Sequence, residues 1–163
     1  MPYTTRQALL DRFGAEELAA VATPREFNRP PPALLRALIN DGDLSAWSEE
    51  EIAAAGEAAY RMQVAVDDAE HDINFYIGTR YSLPLSPVPA TLTRVASDIA
   101  RFRLYDDHAT EEVRQRYKDA LRMLEQIAQG KLDLGIAEPQ ATGGAPDFRT
   151  PGRLFTHSTL EDL

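Results

Sequence analysis

Residues 48–78 read SEEEIAAAGEAAYRMQVAVDDAEHDINFYIG, and this stretch decides the fold. Ser48 followed by Glu51 is a capping-box pattern, in which each side chain satisfies a backbone N–H left free at a helix start. From there Ile52, Ala55, Ala59, Met62, Val66, Ala69, Ile73 and Tyr76 recur in steps of three and four, which places them on one face of a helix. Gly78 is the expected stop. At 1.5 Å per residue, a helix from Glu49 to Ile77 spans about 43 Å, longer than the internal packing of a small globule requires.

Shorter pieces precede it. Thr5 is placed to cap a helix carrying Ala8, Leu9 and Phe13 on one side, Gly14 stops it, and Ala15 to Ala22 reads as another helical piece. Thr23 to Pro32 contains Pro24, Pro30, Pro31 and Pro32 and is expected to be irregular, because consecutive prolines lack donors and force extended backbone. A short helix from Ala33 to Asn40 and a turn at Asp41-Gly42-Asp43 follow.

On the other side, Tyr81-Ser-Leu-Pro-Leu-Ser-Pro-Val-Pro is a linker in which Tyr81, Leu83 and Leu85 alternate as apolar anchors, broken by Pro84 and closed by Pro89. A third major helix to about Asp106 turns Leu92, Val95, Ala96, Ile99 and Phe102 inward. Thr110 caps a fourth, with Glu111 and Glu112 at the positive end of its dipole and Gly130 as its stop. From Ile136 onward the periodicity fails. The fold class is therefore all-α: a small helical bundle in residues 1–135 with one long acidic helix and a proline-rich insertion at 25–47, followed by an extended, irregular C-terminal arm at 136–163.

Charge narrows the function. The 163 residues include 17 Lys and Arg against 26 Asp and Glu, a formal net charge of -9. Between Ser45 and Asp72 there are eight acids (Glu49, Glu50, Glu51, Glu57, Asp67, Asp68, Glu70, Asp72) and one base, Arg61, so that segment supplies -7 of it. A protein of this charge repels nucleic acid and anionic membrane surfaces except through local contacts. The chain has no cysteine, which removes a disulfide framework, thiolate catalysis and thiolate metal ligation together. No segment approaches the roughly 18 uncharged apolar residues of a membrane span, and a soluble protein that is not exported is expected.

Sequence signals for chemistry are few. Gly143-Gly144 lacks the Lys-Ser/Thr of a phosphate-binding loop, and no Gly-x-Ser-x-Gly elbow occurs. His71 stands one turn after Asp67 and beside Asp68 and Asp72, a two-ligand arrangement with no third ligand at a recognisable spacing. Asp41-Gly42-Asp43 lacks the remaining ligands of a calcium loop. The arginines Arg94, Arg101, Arg103, Arg114 and Arg116 are expected to pair across the third and fourth helices with Asp98, Asp106, Glu111 and Glu112.

The order of motifs resembles that of the Mu-like phage head-tail adaptor (connector or head-completion) proteins. The chain opens with Tyr3-x-Thr5, Leu9-x-x-x-Phe13-Gly14 and Glu17-Leu18, and its long acidic helix runs into Arg80-Tyr81-x-Leu83-Pro84-Leu85 and Val88-Pro89. Asp98-Ile-Ala-Arg101-x-Arg103-Leu-Tyr105 and Ala109-Thr-Glu-Glu-Val-Arg114-x-Arg116-Tyr117-x-Asp119-Ala-Leu121 follow, and Arg153-Leu154-Phe155-Thr156 with Leu160 is similar to the family's ending. Residues 25–47 depart from the pattern, which has a short turn where this chain has prolines and an extra helix.

The resemblance implies a non-enzymatic protein without cofactor. Such adaptors form a ring, typically twelvefold, under the portal protein of a DNA-filled head, prolong the DNA channel and dock the next neck or tail protein. The implied location is the virion neck, reached from the host cytoplasm during assembly. On this reading Glu57, Asp67, Asp68, Glu70 and Asp72 are candidates to line the channel, where an acidic wall lets DNA slide. Arg153, Leu154, Phe155, Leu160 and Leu163 are candidates for a partner-docking arm. Two competing readings are an acidic DNA-mimicking inhibitor presenting the 45–72 face, and a small metal-dependent enzyme built on His71.

Overall fold

The computed structural model describes residues 2–136. Among them the chain forms six α-helices and no strand: α1 (Arg6–Phe13), α2 (Ala15–Ala22), α3 (Pro32–Ile39), α4 (Glu49–Ile77), α5 (Ala90–Tyr105) and α6 (Glu111–Ala128), with one 3-10 turn at Asp106–His108. The protein is an all-α helical bundle. The predicted arm at 136–163 lies, apart from Ile136, outside the described residues.

α1, α4 and α6 start where a side chain caps them, whereas α5 starts after Pro89 without one. Ser48 N–H donates to Glu51 Oε2 at 2.9 Å while Glu51 N–H donates to Ser48 Oγ at 3.3 Å, closing the capping box. These bonds from Ser48 hold the Glu51 carboxyl below its ordinary pKa. Thr5 accepts from Ala8 N–H and Thr110 from Val113 N–H in the same manner. Gly14 joins α1 to α2 at φ +82° and ψ 149°, a conformation open to glycine that would strain any other residue by about 1–3 kcal/mol.

α4 is the spine of the bundle and packs against every other α-helix. Its buried face is Ala54, Ala55, Ala58, Ala59, Met62, Ala65, Val66, Ala69, Ile73 and Ile77. Six of these ten are alanines, so neighbouring backbones approach closely, and the few large side chains, each contributing about 1.5–3 kcal/mol on burial, fill what remains. α5 supplies Leu92, Val95, Ala96, Ile99 and Leu104 to the same core, and α6 supplies Ala120, Leu124 and Ile127. Phe102 and Tyr117 stack at 4.0 Å between centroids and tie α5 to α6.

The proline-rich region is integrated into this body. Its helix α3 lies against α2 and α4, with Leu34 and Leu35 fully buried. In the linker after α4, Tyr81 and Leu85 are buried as predicted, whereas Leu83 is turned outward at 38% exposure and is no anchor. The alternation fails because this linker is a series of bends and not an extended strand, so every second side chain need not share a side.

The expected arginine pairing across the third and fourth helices is largely replaced by longer connections. Arg101 donates to both carboxylate oxygens of Glu17, at 2.6 and 3.0 Å, and lies over the Phe13 ring. Burial opposes the charge on Arg101, but the bonds to Glu17 outweigh it and raise the guanidinium pKa. Arg103 bonds Asp72 at 2.7 Å, Asp98 pairs with Arg12 and Asp106 with Arg61. Of the predicted set only Arg116 with Glu112 forms an ion pair among the described residues, within α6 itself.

Candidate functional site

The acids singled out from the sequence all lie on α4, whose 100° turn per residue separates them. Glu57, Asp68 and Asp72 fall within about 60° of one another around the axis, while Asp67 and Glu70 lie on a different flank. Asp72 is already neutralised by Arg103, whose guanidinium pKa is raised first by that bond. Glu57 takes part in no ion pair among the described residues, and Asp68 is half-buried.

The outward line of α4 is not purely acidic. Tyr60, Val64 and Phe75 are 63%, 40% and 80% exposed on the outward side, with half-buried Glu57 and Asp68 along one edge and exposed Asp67 along the other, so apolar and acidic side chains mix along one ridge. The recurrence of three and four that marks the buried stripe says nothing of these three. The signal for them is their own spacing: four residues from Tyr60 to Val64 and eleven more to Phe75, all outside the stripe.

The second flank is polar. Asp67, Glu70, His71 and Asn74 line an open hollow of about 330 Å³. Here Tyr3, from the segment before α1, donates its hydroxyl to Asn74 Oδ1 at 2.6 Å. Burial, and secondly the negative charge of Glu70, push the Tyr3 pKa up to about 12. Asp67 accepts from Gln63, and among the described residues no three His, Asp or Glu side chains converge as a metal set. The Asp67 and His71 pair therefore stands without a third protein ligand there.

A larger cleft, about 640 Å³, opens between the α2–α3 loop and the end of α5. Its charges offset one another: Arg61 faces Asp106 at 3.4 Å, and Arg25 meets His108 Nε2 at 2.6 Å. Asp106 holds φ +50° and ψ -131°, a strained backbone at the mouth of the cleft. Neither a nucleophile with an adjacent base nor a one-signed binding pocket is formed by its lining residues.

The linker motif Tyr81, Leu83, Pro84, Leu85 and Pro89 has a structural task. Tyr81 packs beneath the last described residues and its hydroxyl accepts from Leu134 N–H at 3.2 Å, while Arg80 donates to the carbonyls of Ile127 and Leu132. The chain thus leaves the bundle beside the C-terminal end of α4. The predicted arm residues Arg153, Leu154, Phe155, Leu160 and Leu163 lie outside the described residues.

Residues 3–149 match the protein family described as Bacteriophage Mu, Gp36. The chain is similar to the Mu-like prophage FluMu protein gp36 of Haemophilus influenzae, at 43% identity over 82 residues, which is 50% of this chain and 58% of that protein. It is also similar to Gene product J of Escherichia phage Mu, at 39% identity over 72 residues, 44% of this chain and 51% of the relative. The chain spans little more than half the length of either. The family match, in contrast, runs through α1 to α6 and beyond the last described residue: this chain belongs to the Bacteriophage Mu Gp36 family.

Proposed function

We propose that this phage structural protein is a head-tail adaptor. It assembles with copies of itself, in a ring that is typically twelvefold for such adaptors, beneath the portal protein. There it extends the DNA channel and presents a docking surface to the next neck or tail protein. The observation that carries the reading is the family match over residues 3–149, joined to an all-helical body whose α4 is about 43 Å long. Helices of that length stand side by side in a ring, and a protein without a built catalytic constellation among its described residues suits a scaffolding role. DNA proximity belongs to the flank of Asp67 and Glu70, where Gln63 and Asn74 keep the surface polar and Tyr60 stands only at its edge, rather than to the mixed ridge of Glu57 and Asp68.

The test is co-sedimentation of the purified protein with portal rings of the same phage, alongside particles made without it. Binding to the rings, and DNA-filled heads that fail to join tails when the protein is missing, are the expected results. Complete tailed particles in its absence would overturn the reading. In complemented particles, Asp67→Lys with Glu70→Lys is expected to reduce genome delivery at least tenfold while heads and tails still join; unchanged delivery removes these acids from the channel.

A further inference from the structure

The ridge of α4 carries three exposed apolar side chains, Tyr60, Val64 and Phe75, set among the acids Glu57, Asp67 and Asp68. A partner for it needs apolar side chains flanked by positive charge. The chain contains such a segment: residues 148–155 read FRTPGRLF, with Phe148, Leu154 and Phe155 around Arg149 and Arg153, and no acid. We propose that, in the free protein, this segment covers the α4 ridge of its own chain.

Position and length agree with the charge match. The last described residues are held at the C-terminal end of α4 by Arg80 and Tyr81, and Phe75 stands on that end of the ridge. Residues 137–147 extend at most about 3.3–3.6 Å each, roughly 38 Å in all. The ridge from Phe75 back to Tyr60 is only about 22 Å long at 1.5 Å per residue. Segment 148–155 therefore reaches every point of it. Alternating cationic and apolar side chains laid over an acidic and apolar ridge desolvate the aromatic rings and keep each charge beside an opposite one. The inference concerns the chain before assembly and stands or falls independently of portal binding.

The absence of native cysteine makes a direct test clean. Val64→Cys with Leu154→Cys is expected to form a disulfide within the monomer at least tenfold faster than Gln115→Cys with Leu154→Cys, whose first site is exposed on α6. Adding Glu57→Lys and Asp68→Lys should slow the first pair at least fivefold at low salt. Equal rates for the two pairs, or disulfides found only between chains, would overturn the proposal. A second measurement leaves position 64 native: trypsin should cut after Arg149 and Arg153 at least tenfold faster in Tyr60→Asp/Phe75→Asp than in the unaltered chain. Equal cleavage rates would also overturn it.

Discussion

Tyr3 is buried at 4% exposure, and its hydroxyl bridges the start of the chain to Asn74 in the middle of the sequence. Its pKa of about 12 lies above the ordinary tyrosine value near 10, so the folded protein holds that proton to higher pH than the unfolded chain does. The associated stability is complete below about pH 10 and is lost as pH rises through 12. Tyr76 and Tyr105 add to the same trend, because burial raises both. Tyr3→Phe is expected to cost about 1 kcal/mol at pH 7 through the lost hydrogen bond. It should also shrink the fall in stability between pH 9 and 11. Urea midpoints of both proteins at pH 7, 9 and 11 check this; an undiminished alkaline fall would show that Tyr3 titrates as it does in the unfolded chain. Contacts of this kind were not legible beforehand: Arg101 finds Glu17 across 84 residues and Thr4 meets Ser97 across 93, and no local pattern encodes such pairs.

At the scale of elements, most of the fold could be read directly. α4 runs from Glu49 to Ile77, as the Ser48 and Glu51 box and the unbroken recurrence predict, because local capping and a one-sided apolar stripe both act within a few residues. α3 begins at Pro32, one residue before its expected start, since proline is well suited to a first helical turn. The linker was half legible: its prolines foretell an interruption, but which of Tyr81, Leu83 and Leu85 faces inward depends on backbone turns that alternation alone does not specify. The acids of α4 are a different case. Their dispersal around the helix follows from residue number alone, and only grouping them by sequence density makes them one surface. The alanine seam yields a firm expectation. Ala69 is fully buried, so Ala69→Leu adds three carbons where backbones approach closely and is expected to destabilise the protein by about 1–3 kcal/mol. Thermal unfolding with unchanged helical content at 20 °C measures it; an unaffected Tm would mean the seam has room.

Across the whole molecule, the core is closed within the described residues. Leu134 and Ile136 still pack against it, and no helix there is long and apolar enough to cross a membrane. A chain ending after Ile136 is therefore expected to retain its helical circular dichroism and a single cooperative transition, losing no more than about 1.5–3 kcal/mol, because residues 137–163 contain few large apolar side chains relative to their length. Loss of cooperativity on truncation would place part of the core beyond residue 136. The uneven charge has acquired a finer form at this scale. Asp72, Asp98 and Asp106 are consumed by arginines that hold helices together, while Glu57, Asp67 and Glu70 take part in no ion pair among the described residues.

The joints that fasten the first two helices set an order of events during synthesis. Tyr3, Thr4, Arg12 and Glu17 depend on Asn74, Ser97, Asp98 and Arg101, partners 71 to 93 residues further along the chain. At about 5–20 residues per second, a ribosome needs roughly 4–20 seconds to make that much chain. Until then α1 and α2 lack the complete surface of α4 and α5 to lie on, and Leu9, Leu10 and Leu18, all but fully covered at the end, stay accessible to solvent and chaperones. α1 and α2 are seated only once α5 has been made.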